Sequence, residues 1–161
     1  MGYSQLILLL GSLVLLGLLG LSQNNSLNRN TEYNMYNQAL FTGTGVAQSM
    51  LEEVLSRDFD EVTLTRNLTI PDSLTAPGEL GKENGESLVT QFDDVDDYHR
   101  FTRTDSLDIF GNYHLQVSVH YIASMSPDNK ITSKSFMKRI NVSLYNRYIG
   151  DTITLNGIKA Y

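Results

Sequence analysis

Leu6-Ile7-Leu8-Leu9-Leu10-Gly11-Ser12-Leu13-Val14-Leu15-Leu16-Gly17-Leu18-Leu19-Gly20-Leu21 is the stretch on which the fold turns, because residues 1–22 contain neither an acid nor a base. Ten Leu, one Ile and one Val are interrupted only by three glycines and Ser12. A run of this length and composition is a membrane-spanning helix candidate. At roughly −0.3 to −0.6 kcal/mol for each Leu, Ile or Val, the twelve apolar residues supply about −5 kcal/mol towards insertion. A secretory signal peptide needs a basic start and a small-x-small cleavage site. Here the first base is Arg29 and no such triplet follows the run. An anchor helix ordinarily carries Lys or Arg on its cytoplasmic flank. The missing flank leaves two expectations: a processed form whose short basic leader preceded Met1 and was removed, or an uncleaved chain in which Met1 is the initiator.

Working outward, residues 23–37 are polar and rich in Asn, a composition of weak helix propensity. Met35, Ala39, Val46, Met50 and Val54 then recur close to the helical period, and Leu51 with Leu55 widens the stripe. The expected element is one long helix over 3–57, apolar in its first half and amphipathic in its second. Gly17 with Gly20, and Gly43 with Gly45, are its expected weak points, where it could melt or bend. The expected organisation is an apolar membrane or filament-core helix over 1–22, its amphipathic continuation over 23–58, and a β-sheet domain over 59–161.

Beyond the helix, 61–65 alternates like a short edge strand. Residues 66–91 hold Pro71, Pro77, Gly78, Gly81 and Gly85, which predicts a long connecting loop. Leu115, Val117, Val119 and Tyr121 alternate with polar residues, the pattern of a half-buried strand. A turn is expected at Pro127-Asp128-Asn129. A second strand follows through Phe136, Ile140, Val142 and Leu144, with Lys138 the one mismatch on its apolar face. Residues 152–158 supply a last strand. The fold class expected is α+β, a helix packed on three or four antiparallel strands.

Four motifs in order carry a family resemblance. Ala47-Gln48-Ser49-Met50-Leu51-Glu52-Glu53-Val54-Leu55-Ser56, followed by Phe59-Asp60-Glu61, stands about fifty residues after an apolar start. Phe92-Asp93-Asp94-Val95-Asp96-Asp97-Tyr98-His99, the strand from Tyr113 and the terminal Ile153 to Tyr161 follow it. Together they resemble type IV pilin-like proteins, in particular minor pilins of mannose-sensitive haemagglutinin type and pseudopilins. The resemblance implies a pilin-like fold and assembly through the N-terminal helix. Family members usually start Phe-Thr-Leu-x-Glu, whereas this chain starts Met1-Gly2-Tyr3-Ser4-Gln5. The family's glutamate is thought to pair with a neighbouring subunit's amine. Gln5 accepts a hydrogen bond there but brings no counter-charge, and an unpaired buried charge is expensive.

Composition narrows the chemistry. All 18 acids and 12 bases lie in 23–161, so that part carries the whole net charge of −6. An acidic domain repels phosphate backbones, which argues against nucleic acid as a partner. With no cysteine there is neither a disulfide nor a thiolate zinc site. Asp93, Asp94, Asp96 and Asp97 offer oxygen ligands for Ca²⁺, but the glycine and glutamate of an EF-hand loop are missing; a solvated acidic turn is the simpler expectation. His99, His114 and His120 have no zinc spacing, and His114 and His120 fall on the polar face of their strand. Glu53 and Arg57 stand at i, i+4 spacing for a helix-face ion pair. Asn24, Asn67 and Asn141 open sequons. The eight tyrosines outside the apolar run fit either subunit interfaces or core edges. No catalytic motif is present, so neither an enzyme nor a cofactor is expected.

The function expected is a structural subunit of a type IV pilus-like extracellular filament, held in the inner membrane before assembly. Its expected partners are copies of itself and the pilus or secretion assembly machinery. Met1, Gln5, Leu6, Leu9, Leu10, Leu13 and Leu16 are the expected assembly residues. Gly11, Gly17 and Gly20 join them because small residues let helices approach closely. A minor or tip pseudopilin of a type II secretion-like system and a single-pass anchored binding domain are the alternatives.

Overall fold

The computed structural model describes residues 2–83, 85–107 and 109–161; Met1, one of the expected assembly residues, lies outside them. The chain forms two units, Met1–Gln38 and Ala39–Tyr161. Helix α1 runs through Tyr3–Leu55, two residues short of its expected end. Neither glycine pair interrupts it. In the first unit its side chains are exposed from Tyr3 to Asn34.

In the second unit α1 buries Ala39, Gly43, Ala47, Met50, Leu51 and Val54, a stripe at helical spacing. The stripe packs into one core with Tyr113, Leu115, Val117, Val119, Ile140 and Val142 of the sheet. Gly43, expected to be a weak point, is instead a place of close packing. A Cβ there would stand 3.1 Å from both Leu144 Cδ2 and Tyr113 Cε1. Tyr113 Oη also donates to the Ala39 carbonyl at 3.2 Å.

The short segment expected as an edge strand is helix α2, Glu61–Thr65. The reason is Asp60, which caps the helix. Its side chain accepts from the Val62 N–H, and Thr63 Oγ1 accepts from the Asp60 N–H at 3.2 Å, closing a capping box. The connecting loop holds 3₁₀ turns at Pro71–Ser73 and Val89–Gln91. It covers a smaller core of Phe59, Leu74 and Tyr121.

Five strands follow: β1 Thr102–Leu107, β2 Gly111–Ala123, β3 Ser126–Lys130, β4 Met137–Asn146 and β5 Thr152–Ala160. They form an antiparallel sheet in the order β1-β2-β4-β5, with β3 pairing on β2. Leu115, Val117 and Val119 stand opposite Leu144, Val142 and Ile140, so the two longest strands present one continuous apolar face to α1. The turn expected at Pro127 lies earlier, at Ser124 and Met125, and Pro127 sits inside β3. An edge strand tolerates proline because it has an N–H side with no ladder to join. Strand β1 was not expected: its residues Thr-Arg-Thr-Asp-Ser-Leu are only half-buried on one face, so little apolar alternation marks it.

Candidate functional site

Two features of the chain stand out chemically, and they lie in different units. The first is the apolar run of α1. Leu6, Leu9, Leu10, Leu13 and Leu16 are all more than half exposed, Leu16 at 72%. Gln5 is exposed with them. Gly11, Gly17 and Gly20 have open space where a Cβ would stand. This helix is long and apolar enough to cross a membrane. Isolated exposed leucines are ordinary, but a contiguous apolar surface of this kind marks a place for lipid or for another protein.

The second feature is an ionic cluster inside the sheet unit, built around Lys138. Strand β4 alternates inward and outward, and Lys138 falls on the inward side between Phe136 and Ile140. It is fully buried. Its Nζ donates to the Phe59 carbonyl at 2.6 Å, to Asp60 Oδ2 at 3.0 Å and to Asp96 Oδ1. All three ammonium protons are therefore used. The ammonium also lies over the Phe59 ring, 4.5 Å from its centroid.

Asp60 serves several partners at once. Besides capping α2, its Oδ2 accepts from the Thr75 N–H at 3.0 Å and from Tyr121 Oη at 3.3 Å. Tyr121 Oη is also 2.8 Å from the Thr75 carbonyl. One cation, with Asp60, thus joins the segment between α1 and α2, the long loop, the acidic turn and the sheet.

The acidic turn at 93–97 is not the solvated turn expected. Asp93 is exposed, but Asp94, Asp96 and Asp97 are buried. Asp94 Oδ1 accepts from the N–H groups of Asp96 at 2.7 Å and Asp97 at 3.2 Å, an Asx turn. Asp97 Oδ2 accepts from the N–H groups of Asp93 at 3.0 Å and Asp94 at 3.2 Å. The turn is pinned to the end of α1 by the Asp58 N–H on the Asp93 carbonyl and the Val95 N–H on the Asp58 carbonyl.

Two of these carboxyls resist ionisation. Burial, with the charges of Asp96 and Asp97, pushes Asp94 up to about 8. Burial raises Asp96 to about 6 against the opposing pull of Lys138. A carboxyl whose pKa is higher in the folded state than its ordinary 3.8 binds extra protons when folded. Stability from these groups is therefore full at low pH and is lost as pH rises through the folded values. With divalent ions chelated, the thermal midpoint of the full chain in detergent is expected to fall by several degrees from pH 5 to pH 8. Asp94→Asn keeps the turn's acceptor oxygen and removes the ionisable group, so it should flatten that slope in calorimetry.

Around this turn the structure brings together residues that the sequence pattern did not. Among the described residues, Glu83, Glu86 and Asp97 each place a carboxylate oxygen within 4.8 Å of the others. Of the four aspartates weighed as candidate calcium ligands, only Asp97 belongs to this group. Burial and the Asp97 carboxyl push Glu83 up to about 9 and raise Glu86. The Val119 N–H donates to His99 Nδ1 at 3.1 Å, and burial lowers the pKa of His99 and His120.

Other expected pairings are rearranged. Glu53 does not bridge to Arg57: it accepts from Tyr98 Oη at 2.9 Å and faces Arg103 at 3.4 Å. Asn24 and Asn67 are exposed, while Asn141 is half-buried in β4 with its Nδ2 3.4 Å from Ser118 Oγ. Tyr98, Tyr113 and Tyr121 are fully buried core residues with bonded hydroxyls. A lone lysine on an apolar strand face, together with an aspartate-rich turn, was the sequence signal for the ionic cluster. Compared with protein families, characterised proteins and solved structures, the chain matches none.

Proposed function

We propose that this chain is a structural subunit of a type IV pilus-like extracellular filament, and that its role is assembly without catalysis. The observation that carries this reading is the apolar run of α1, whose described side chains are exposed in the first unit. Such a surface needs lipid or other copies of itself. A long helix on an antiparallel sheet is also the arrangement of pilin-like folds, which the four motifs in register resemble.

In this reading the run holds the subunit in the inner membrane before assembly, with the sheet unit outside. On assembly the same surface leaves lipid and packs against neighbouring copies, where Gly11, Gly17 and Gly20 allow close approach. Head-to-tail contacts that do not close generate a helical polymer. Apolar burial at about 25 cal/mol per Å² would make it resist salt and dissolve in detergent.

Gln5 favours a second reading. With no carboxylate to pair with a neighbour's amine, the chain suits a minor or tip position of a pilus or of a type II secretion-like pseudopilus. Electron microscopy of material sheared from cells, with intact-mass measurement of the same fraction, separates these outcomes. Fibres in which this chain dominates are the expected result. Fibres holding it in trace amount would favour the minor position. A chain confined to the membrane fraction, with no fibre, would make it an anchored domain and sink the filament reading.

A further inference from the structure

We propose that Glu83, Glu86 and Asp97 hold a divalent cation, Ca²⁺, which clips the long loop to the buried acidic turn. The three carboxylates come from two separate segments, and one oxygen of each lies within 4.8 Å of the others. Calcium binds oxygen at about 2.4 Å, so ligands on opposite sides of one ion stand about 4.8 Å apart. Three oxygens within that span can share one coordination shell.

A cluster of acids is common without an ion, and the buried end of this one distinguishes it. Asp97 is 2% exposed. Its Oδ2 is taken by two N–H groups, and its Oδ1 is buried with no hydrogen-bond partner among the described residues. Glu83 Oε2 is likewise buried and unpartnered. Buried acceptors are expensive to leave unsatisfied.

The loop is shaped for this convergence. Gly85 has φ of 118°, a conformation that side-chain-bearing residues rarely adopt. The Glu83 N–H donates to Glu86 Oε2 at 3.1 Å, and the Glu86 N–H to the Glu83 carbonyl at 3.3 Å. This fold of the loop keeps both carboxylates beside the turn.

The nearby cations do not neutralise the group. Lys82 and Arg100 line the same shallow cavity as Asp97, yet among the described residues the ion pairs involve neither. Lys138 is spent on Asp60 and Asp96. Three carboxylates with no nitrogen or sulfur ligand select a hard cation. Calcium is favoured over magnesium because it accepts an irregular, many-oxygen shell, and the half-buried glutamates leave room for water. The site does not depend on filament formation.

The test is calcium titration of the full chain in detergent micelles by calorimetry, with thermal unfolding in calcium and in EDTA. Expected are one saturable site with Kd on the order of 10⁻⁵ to 10⁻³ M and a thermal midpoint several degrees higher in calcium. Glu86→Gln should weaken binding at least about tenfold, the loss of one charged ligand. Glu83→Gln/Glu86→Gln should abolish both responses while keeping or raising the midpoint in EDTA, because neutral amides replace crowded ionisable carboxyls. That last readout separates a lost ligand from a damaged fold. No binding and no midpoint shift at millimolar calcium would overturn the site. So would unchanged affinity in the double variant, or tighter binding of magnesium than of calcium.

Discussion

Lys138→Met is expected to destabilise the sheet unit by about 3–5 kcal/mol, the range for removing one partner of a buried ion pair. Methionine matches the lysine stem in length and keeps the packing on Phe59 and Tyr121, so the loss falls on the charges. Asp60 and Asp96 are both fully buried, and without the ammonium each would keep a carboxyl in a dry interior. The Phe59 carbonyl would lose its donor as well. For a unit of this size the thermal midpoint should drop by roughly 10–20 °C. Measured on the full chain in detergent, a midpoint within a few degrees of the wild type would show that the cluster does not hold the unit together. Lys138→Met/Asp60→Asn/Asp96→Asn should recover part of the loss, because neutral amides replace orphaned charges. Such recovery is expected whenever the penalty is electrostatic rather than a cavity.

Leu9→Lys/Leu13→Lys should move the chain from the membrane fraction to the soluble fraction. The apolar run supplies about −5 kcal/mol, and two lysines near its centre oppose insertion by roughly 5–7 kcal/mol, with about 1 kcal/mol more lost with the leucines. The sum changes sign. Both positions are exposed in the first unit, so folding of the sheet unit should not change, which its thermal unfolding would check. The same variant should yield no fibres. Retention of the double variant in membranes would mean that something other than this helix holds the chain there.

The two expectations rest on parts of the molecule that were unequally visible from the sequence. The apolar run, the amphipathic stripe through Met50 and Val54 and the alternation of β2 and β4 all follow from local periodicity. Helix α2 is misread from the sequence as an edge strand because the short alternation of 61–65 imitates one, and the capping box of Asp60 and Thr63 that sets the helix is passed over. Strand β1 carries almost no apolar signal, since it is paired at the sheet edge and half-covered on one face.

The ionic cluster was visible only as an anomaly. Lys138 broke the pattern of its strand, and four aspartates crowded one turn, but nothing local says that they meet. The partners of Lys138 lie 78 residues away at Asp60 and 42 residues away at Asp96. Glu83 and Glu86, in a loop with little pattern, were not among the candidate ligands at all.

By itself, then, the sequence determined the long helix, the strand periodicity and a contiguous apolar surface on the helix, because side-chain hydrophobicity repeats at the pitch of the backbone. Only the tertiary structure decided which charges are buried and with what. Burial of the acidic turn depends on closing α1, the loop and β4 around it, and the partner of a charge is set by that closure rather than by its neighbours in the chain.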